Sequence, residues 1–151
     1  MLRSPLLACC ALTACVGCGP STLLEVSPPL VVVDSFPSNG ATLPGSEVTH
    51  IDLVFSEILD GTAALSAIKL ASVNDSDEVD TAFALVADED KGPAGFDEAR
   101  RTLSLTIGTP STDGTLPDGA HFRIRIEQGL SARNGSVLPV EVVRRFATRS
   151  N

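Results

Sequence analysis

Beyond the first thirty residues, apolar positions fall into short blocks that alternate with polar residues, a period of two that is typical of β-strands. Gly, Pro, Asn and Asp separate the blocks, and no later stretch sustains a helical period. In the clearest block Ile51, Leu53 and Phe55 share one side. The pattern predicts seven strands: Leu30–Phe36, Val48–Ser56, Ala67–Val73, Thr81–Ala87, Arg101–Gly108, Ala120–Gln128 and Val137–Thr148.

Seven short strands in about 120 residues predict an all-β, seven-stranded immunoglobulin-like β-sandwich. In the last block Arg144 has the inward parity of its apolar neighbours Val140 and Val142, and a bulge or an edge position would reconcile the pattern. The inward positions of the clearest blocks form the predicted core, which includes Phe55, Leu103, Phe122 and Phe146.

Several short motifs occur in an order that adds to this prediction: Ser35–Ala41, Ile51–Glu57, Arg101–Leu105, Leu116–Gly119 before Phe122, Asn134-Gly135 before Leu138, and Phe146–Thr148. With them, the chain from about Val31 to Arg149 resembles a bacterial Ig-like domain of the kind found in surface-layer and other exported bacterial proteins. The resemblance implies a scaffold used as a spacer, adhesion module or interaction module. The chain departs from the family in having Phe122 where Tyr is frequent, and it contains no Tyr or Trp.

The N-terminal segment has the pattern of an export signal: Arg3, an apolar run from Pro5 to Ala14, and small residues before a possible cleavage point. The run is too short for a membrane-spanning helix, which takes about 20 residues. The sequence Leu12-Thr13-Ala14-Cys15 resembles the bacterial lipobox, which implies that the Cys15 thiol receives a diacylglycerol and becomes the new N-terminus. Cys18 is a second choice, and a plain secretory signal is the alternative.

These features divide the chain into a signal peptide (residues 1–14), a lipidated tether (15–29) and an Ig-like domain (30–151). Cleavage before Cys15 would leave 137 residues, enough for one domain. The four cysteines, Cys9, Cys10, Cys15 and Cys18, all precede the predicted domain. The domain therefore has neither an internal disulfide nor a cysteine zinc site.

The charge balance limits the partners that the chain can bind. The sequence has 11 Lys and Arg against 19 Asp and Glu, a formal net charge of −8. Binding to nucleic acid and to anionic lipid surfaces both need a basic face, so neither is expected. The acyl chains on Cys15 would then be the membrane attachment.

Two acidic segments, Asn74–Asp80 and Asp88–Asp90, carry oxygens that Ca²⁺ could use. An EF-hand does not fit, because counting from Asp75 puts Asp80 where Gly is needed and Val86 where the bidentate Glu belongs. The favoured interpretation is two solvated loops without a metal or other cofactor, with Ca²⁺ as the alternative.

The segment Asp88–Ala99 is the longest predicted loop, and long loops on a rigid sandwich often carry binding residues. Phe96 within it is expected to fold back onto the sandwich edge. His50 and His121 have outward parity on their strands, and no Gly-x-Ser-x-Gly motif occurs, so no catalytic residues are predicted.

The sequence predicts a non-enzymatic cell-envelope lipoprotein, anchored to a bacterial membrane and placed at the outer membrane, with an extracytoplasmic Ig-like module for binding, adhesion or structural support. The expected partners are the membrane, through the lipid, and an envelope protein or a surface glycan. One alternative is an accessory subunit of an envelope assembly whose sandwich edge pairs with a partner strand. A hydrolase is the distant alternative.

Overall fold

The alternating blocks form strands in the computed structural model, which describes residues 27–60, 64–108 and 115–150. The predicted signal peptide, Cys15 and most of the predicted tether lie outside these residues. No helix in the described part of the chain has the length and apolar character needed to cross a bilayer. The strands are β1 (Val32–Phe36), β2 (Thr42–Leu43), β3 (His50–Phe55), β4 (Ile68–Val73), β5 (Val79–Ala87), β6 (Phe96–Asp97), β7 (Thr102–Gly108), β8 (His121–Ile126) and β9 (Val142–Thr148).

The strands make one mixed sheet in the order β1-β3-β7-β5-β4-β8-β9-β2, with β6 paired to β7. All pairs are antiparallel except β2 with β9. Strand β5 pairs with β4 up to Phe83 and with β7 from Ala84 onward. We call the strands on the β7 side (β1, β3, β6, β7 and the end of β5) the front half, and the others the back half.

The sheet curls so that the inner surfaces of the two halves share one hydrophobic core. The predicted core residues are confirmed, because all four are at most 3% exposed. The Phe122 ring stacks on that of Phe146, with centroids 4.9 Å apart. Five of the six phenylalanines lie in this core: Phe55, Phe83, Phe96, Phe122 and Phe146.

The structure has nine strands in its described residues where the pattern predicts seven. The seven longer strands correspond to the predicted blocks, shifted by one or two residues at most ends. The two additional strands, β2 and β6, are two residues long, too short to show an alternation.

The last predicted strand, Val137–Thr148, is wrong over its first five residues, since β9 begins at Val142. Pro139 has no N–H to donate to a strand, and Val140 is 61% exposed, so its predicted inward parity is also wrong. Arg144 occupies an edge position, because β2 covers only the last two residues of β9. Its Nη2 atom donates to the Val32 carbonyl 3.3 Å away, across the gap between the two ends of the sheet.

The first and last described residues lie at opposite ends of the strands. The Ser27 hydroxyl donates to the Asn134 carbonyl in the β8–β9 connection, at 3.2 Å. The Gly119 N–H donates to the Arg149 carbonyl, also at 3.2 Å, just before β8 begins. The chain therefore enters the domain at the end where β8 finishes and leaves at the end where β8 starts.

Candidate binding groove

The outer face of the front half depends on an irregularity in β1. The register to β3 shifts between Val32 and Asp34, which leaves Val33 as an extra residue. Before the shift Val32 faces the core, whereas after it Ser35 is buried and Asp34 and Phe36 lie on the outer side. The bulge thus keeps a carboxylate out of the core and places an aromatic ring on a polar face.

A groove of about 380 Å³ lies over this face. Its volume is at the lower end of the range for small-molecule sites, about 300–1,000 Å³. Residues of four strands (β1, β3, β6 and β7) and of three connections line it: Asp34, Ser35, Phe36 and Ser38 on one side, Asp52, Val54, Thr102 and Ser104 on the floor, and Lys91, Asp97 and Arg100 on the other side.

Phe36 is the aromatic residue of this groove, and its ring is half-buried. It stacks on the imidazole of His50, with ring centroids 5.0 Å apart and an interplanar angle of 25°. Because the other five phenylalanines are in the core and the sequence has no Tyr or Trp, Phe36 is the one such ring placed to meet a ligand.

The carboxylate of Asp52 is held in place at the centre of the groove. The Ser104 hydroxyl, itself 4% exposed, donates to Asp52 Oδ1 at 2.6 Å. The Nε2 atom of His50 lies 3.6 Å from Oδ2. A carboxylate has about four acceptor positions, so Asp52 can accept further hydrogen bonds from a ligand.

The segment predicted as the long loop Asp88–Ala99 is more ordered than that prediction, because it contains β6 and two 3₁₀ turns. Phe96 is 5% exposed and packs in the core, which confirms its predicted position. Gly92 and Gly95 have positive φ angles, and a Cβ at either would lie 2.3 or 2.6 Å from a backbone oxygen. This tight backbone fixes the side of the groove that carries Lys91.

At the other end of the same side, Asp97 organises the backbone before β7. Its Oδ1 atom accepts from the N–H groups of Ala99 and Arg100, at 3.0 and 3.1 Å. The Arg100 Nε atom lies 3.7 Å from Asp97 Oδ2. Asp97 therefore positions Arg100 at the groove while keeping acceptor capacity of its own.

The other acidic segment, Asn74–Asp80, is exposed as predicted, and it is tied to the back half. The Asp77 carboxylate accepts from Arg145 at 2.8 Å and from Arg123 at 3.0 Å. The hydrogen bond from Arg145, with the charges of both arginines, lowers the pKa of Asp77, and the same pairing raises the pKa of Arg145. In the three described ranges no three His, Cys, Asp or Glu side chains are arranged to hold a metal ion.

Further ion pairs cover the outer face of the back half. Lys69 pairs with Glu127 and Arg125 with Glu141, each at 2.5 Å. The hydrogen bond from Lys69 lowers the pKa of Glu127. The cations of this face therefore contact carboxylates of the same chain.

The two predicted outward histidines lie on different halves of the sheet. His50 is on β3 of the front half and His121 on β8 of the back half. Besides Asp52, His50 has its sequence neighbour Thr49 within reach, with 3.4 Å between Nδ1 and Oγ1. The structure does not bring the two imidazoles together.

The strand pattern did not identify Phe36 or Asp34 as groove residues. An unbroken alternation through β1 would put Asp34 and Phe36 on the core side with Val32, which would bury a carboxylate without a cation. That conflict is the signal in the sequence that could have revealed the bulge and, with it, the outward position of Phe36.

By sequence, no known protein-family profile and no curated protein matches the chain. By structure, it is similar to surface layer protein SbsC, domains 1–6, with a TM-score of 0.50 and 14% identity over 83% of this chain. The crystal structures of the S-layer protein rSbsC(31–844) and of the N-terminal part of the bacterial S-layer protein SbsC each give a TM-score of 0.49 at 15% identity, over 82% and 81% of this chain. The chain spans 14%, 14% and 24% of these three chains. At 14% identity, the likeness to part of domains 1–6 shows the fold alone.

Proposed function

We propose that the chain is a non-enzymatic lipoprotein of the bacterial cell envelope, with Cys15 as the lipidated residue and an extracytoplasmic domain for binding, adhesion or structural support. The observation that carries the proposal is the similarity of the domain's fold to part of surface layer protein SbsC, domains 1–6. The lipobox-like sequence ending at Cys15 supports the same location from an independent part of the chain.

The proposal includes an Ig-like assignment of the domain. Three features of the sheet support it: β1 is antiparallel to β3, β2 is parallel to β9, and β5 contributes to both halves. This arrangement gives two facing layers with one core between them, as in Ig-like sandwiches. Without Tyr or Trp, the core uses Phe122 and its stacked neighbours where related sandwiches use other aromatics.

The path of the chain suggests how such a domain would be presented. Because Ser27 lies beside Asn134, the tether would join the domain at that end of the strands. The opposite end, with the β4–β5 turn, would face away from the membrane. The front groove lies along the side of the strands and would stay accessible to partners in the same envelope layer.

The experiment that tests this function is intact mass measurement and membrane fractionation of the chain with its native N-terminus in a Gram-negative host. We expect a diacylglycerol mass increment on a chain that begins at Cys15, and recovery in the membrane fraction. Cys15→Ala should abolish both, whereas the control Cys18→Ala should keep both. A wild-type chain that is unmodified and not membrane-bound would contradict the proposal.

A second candidate, an accessory subunit of an envelope assembly, is favoured by apolar residues beside the gap between β1 and β9. Four valines near this gap are exposed: Val31 just before β1, Val33 within β1, and Val137 and Val140 before β9. The Leu30 N–H donates to the Val137 carbonyl, and this hydrogen bond places Val137 near Val31, the residue after Leu30. A partner strand at this edge would cover them, and Val33→Lys should then release the chain from its assembly without unfolding it.

A further inference from the structure

We infer that the front groove binds a short neutral oligosaccharide, with Phe36 as the stacking platform and Asp52 as the central hydrogen-bond acceptor. The inference rests on the proposed function in one respect, since an envelope module meets glycans at its working location. The expected partners include an envelope protein or a surface glycan, and this inference selects the glycan for the front groove.

The aromatic ring is the first argument. Phe36 is the one phenylalanine that lies outside the core, and its half-buried ring lines the groove on the polar outer face of the sheet. A ring face carries negative charge density, which suits the weakly positive C–H face of a pyranose. The stacked His50 imidazole supports Phe36 from one side.

The spacing of the carboxylates is the second argument. Asp34 and Asp97 occupy one cross-strand row, through their partners on β3 and β7, so they are three strand spacings or about 14 Å apart. Asp52 stands in the next row, beside Ser104. Carboxylates spread in this way cannot converge on one cation, and the described residues indeed contain no such convergence. They can accept hydrogen bonds from hydroxyl groups distributed along a sugar chain.

The donors on the opposite side complete the match. Lys91 and Arg100 can donate to hydroxyl and ring oxygens. The Thr102 hydroxyl donates to the Arg100 carbonyl at 3.2 Å, and its oxygen can accept from a sugar hydroxyl. Three carboxylates against two cations leave an excess of one negative charge, which disfavours an anionic ligand. The rigid turns at Gly92 and Gly95 hold this side in place before a ligand arrives, which lowers the entropic cost of binding.

The test uses the full-length chain in a detergent without a sugar headgroup, with its phenylalanine rings labelled for NMR. Chitotriose, maltotriose, xylotriose and mannotriose are titrated to millimolar concentration. We expect a saturable shift of the Phe36 ring signals with at least one trisaccharide. The five core phenylalanines are internal controls whose signals should change little.

Substitutions then locate the binding site. Asp52→Asn and Phe36→Leu should each weaken binding about tenfold, as expected when a hydrogen bond to a charged group or a stacking contact is lost. The matched controls Asp75→Asn and Val140→Leu, at exposed positions outside the groove, should leave the affinity unchanged. If Phe36→Leu changes the NMR signals of the core phenylalanines, its effect on binding cannot be separated from an effect on the fold. The affinities of Asp52→Asn and Thr102→Val then test the binding site.

Three outcomes would overturn the inference: no saturable Phe36 shift with any of the four sugars, a shift that persists in the groove variants, or tighter binding of pentalysine or Ca²⁺ at the same ring. These outcomes are separate from the test of location. A chain that is lipidated but binds no sugar loses only this inference, whereas a chain that binds sugar without a lipid loses only the proposed anchor.

Discussion

The two outer faces of the curled sheet are both polar, yet their charged groups have different partners. On the back half, Lys69 and Arg125 each contact a carboxylate of the same chain. On the front half, Asp34 and Asp52 accept from a backbone N–H and from a serine hydroxyl, and only Asp97 of the three groove carboxylates has an Arg or Lys within 4 Å in the described ranges.

The charged groups named on the back face pair with one another, whereas two of the three groove carboxylates on the front face have no Arg or Lys partner in the described ranges. On the back half, opposite charges neutralise each other in ion pairs, so a charged ligand there would compete with these pairs. The front half has acceptors with remaining lone pairs, an aromatic ring and a groove between them. Exposure and polarity alone would not distinguish the two faces, whereas the contacts of the individual side chains do.

The largest expected effect comes from the core that carries both faces. Phe122 is fully buried and contacts the rings of Phe83 and Phe146. Phe122→Ala should lower the free energy of unfolding by about 3–5 kcal/mol, through lost burial and the cavity that remains. The control Val86→Ala, at an exposed position, should stay within about 0.5 kcal/mol. Equal denaturant midpoints for the two variants would contradict the shared core.

A smaller effect is expected at Gly95, which fixes one side of the front groove. Its φ is +76°, and a Cβ would lie 2.6 Å from the Ser104 carbonyl oxygen. Gly95→Ala should cost more than the about 1–2 kcal/mol of a left-handed backbone alone. Gly135→Ala is the matched control, because φ there is +85° and no atom lies within 4 Å of the added Cβ. If both variants unfold at the same denaturant concentration, the close contact at Gly95 adds nothing to the cost of the left-handed backbone, which would contradict the prediction.

The sequence predicted the seven longer strands and the core because alternation is a local signal that the sheet converts directly into inside and outside. It could not predict the fork in β5, since pairing with β4 and then β7 depends on residues far away in the chain. The two-residue strands were missed for the same reason, as both are defined by their partners.

The two faces show the same limit at the level of single residues. Asp77 was predicted as part of a solvated loop, and only the fold brings Arg145, distant in sequence, to its carboxylate. Phe36 was placed in a strand, but its side of the sheet is reversed by one extra residue, Val33. Alternation along the sequence assigns side chains to the correct face within a regular strand, but the assignment fails after a bulge. The bulge in β1 is where the candidate groove begins.

A modest effect is expected from the hydrogen bond at the centre of the front groove. Ser104→Ala removes the donor to Asp52 Oδ1, and water can replace it because Asp52 is half-exposed. We expect a loss of about 0.5–1.5 kcal/mol in the free energy of unfolding. A double-mutant cycle with Asp52→Ala isolates the pair, and additive effects of the two substitutions would show that the bond contributes nothing.

The smallest effect, and the one that depends on pH, is expected at Asp77 on the back half. Its pKa is lowered below the ordinary 3.8, chiefly by the hydrogen bond from Arg145. A carboxyl with a lowered folded-state pKa stabilises the fold above its ordinary value, and this contribution is lost as the pH falls through the lowered value. Asp77→Asn should therefore lower Tm slightly at pH 7 and have no effect in strong acid.

The backbone does not confound this comparison, because Asp77 has a φ of +62° and Asn tolerates that conformation as well as Asp does. Asp75→Asn, in the same turn, is the control and should leave Tm at pH 7 close to that of wild type. Added salt should reduce the effect of Asp77→Asn, since both side chains of the pair with Arg145 are exposed to solvent. A Tm difference between wild type and Asp77→Asn that stays constant from neutral pH to well below 3.8 would contradict this prediction. It would mean that the ion pairs of Asp77 with Arg123 and Arg145 do not stabilise the turn of the back half.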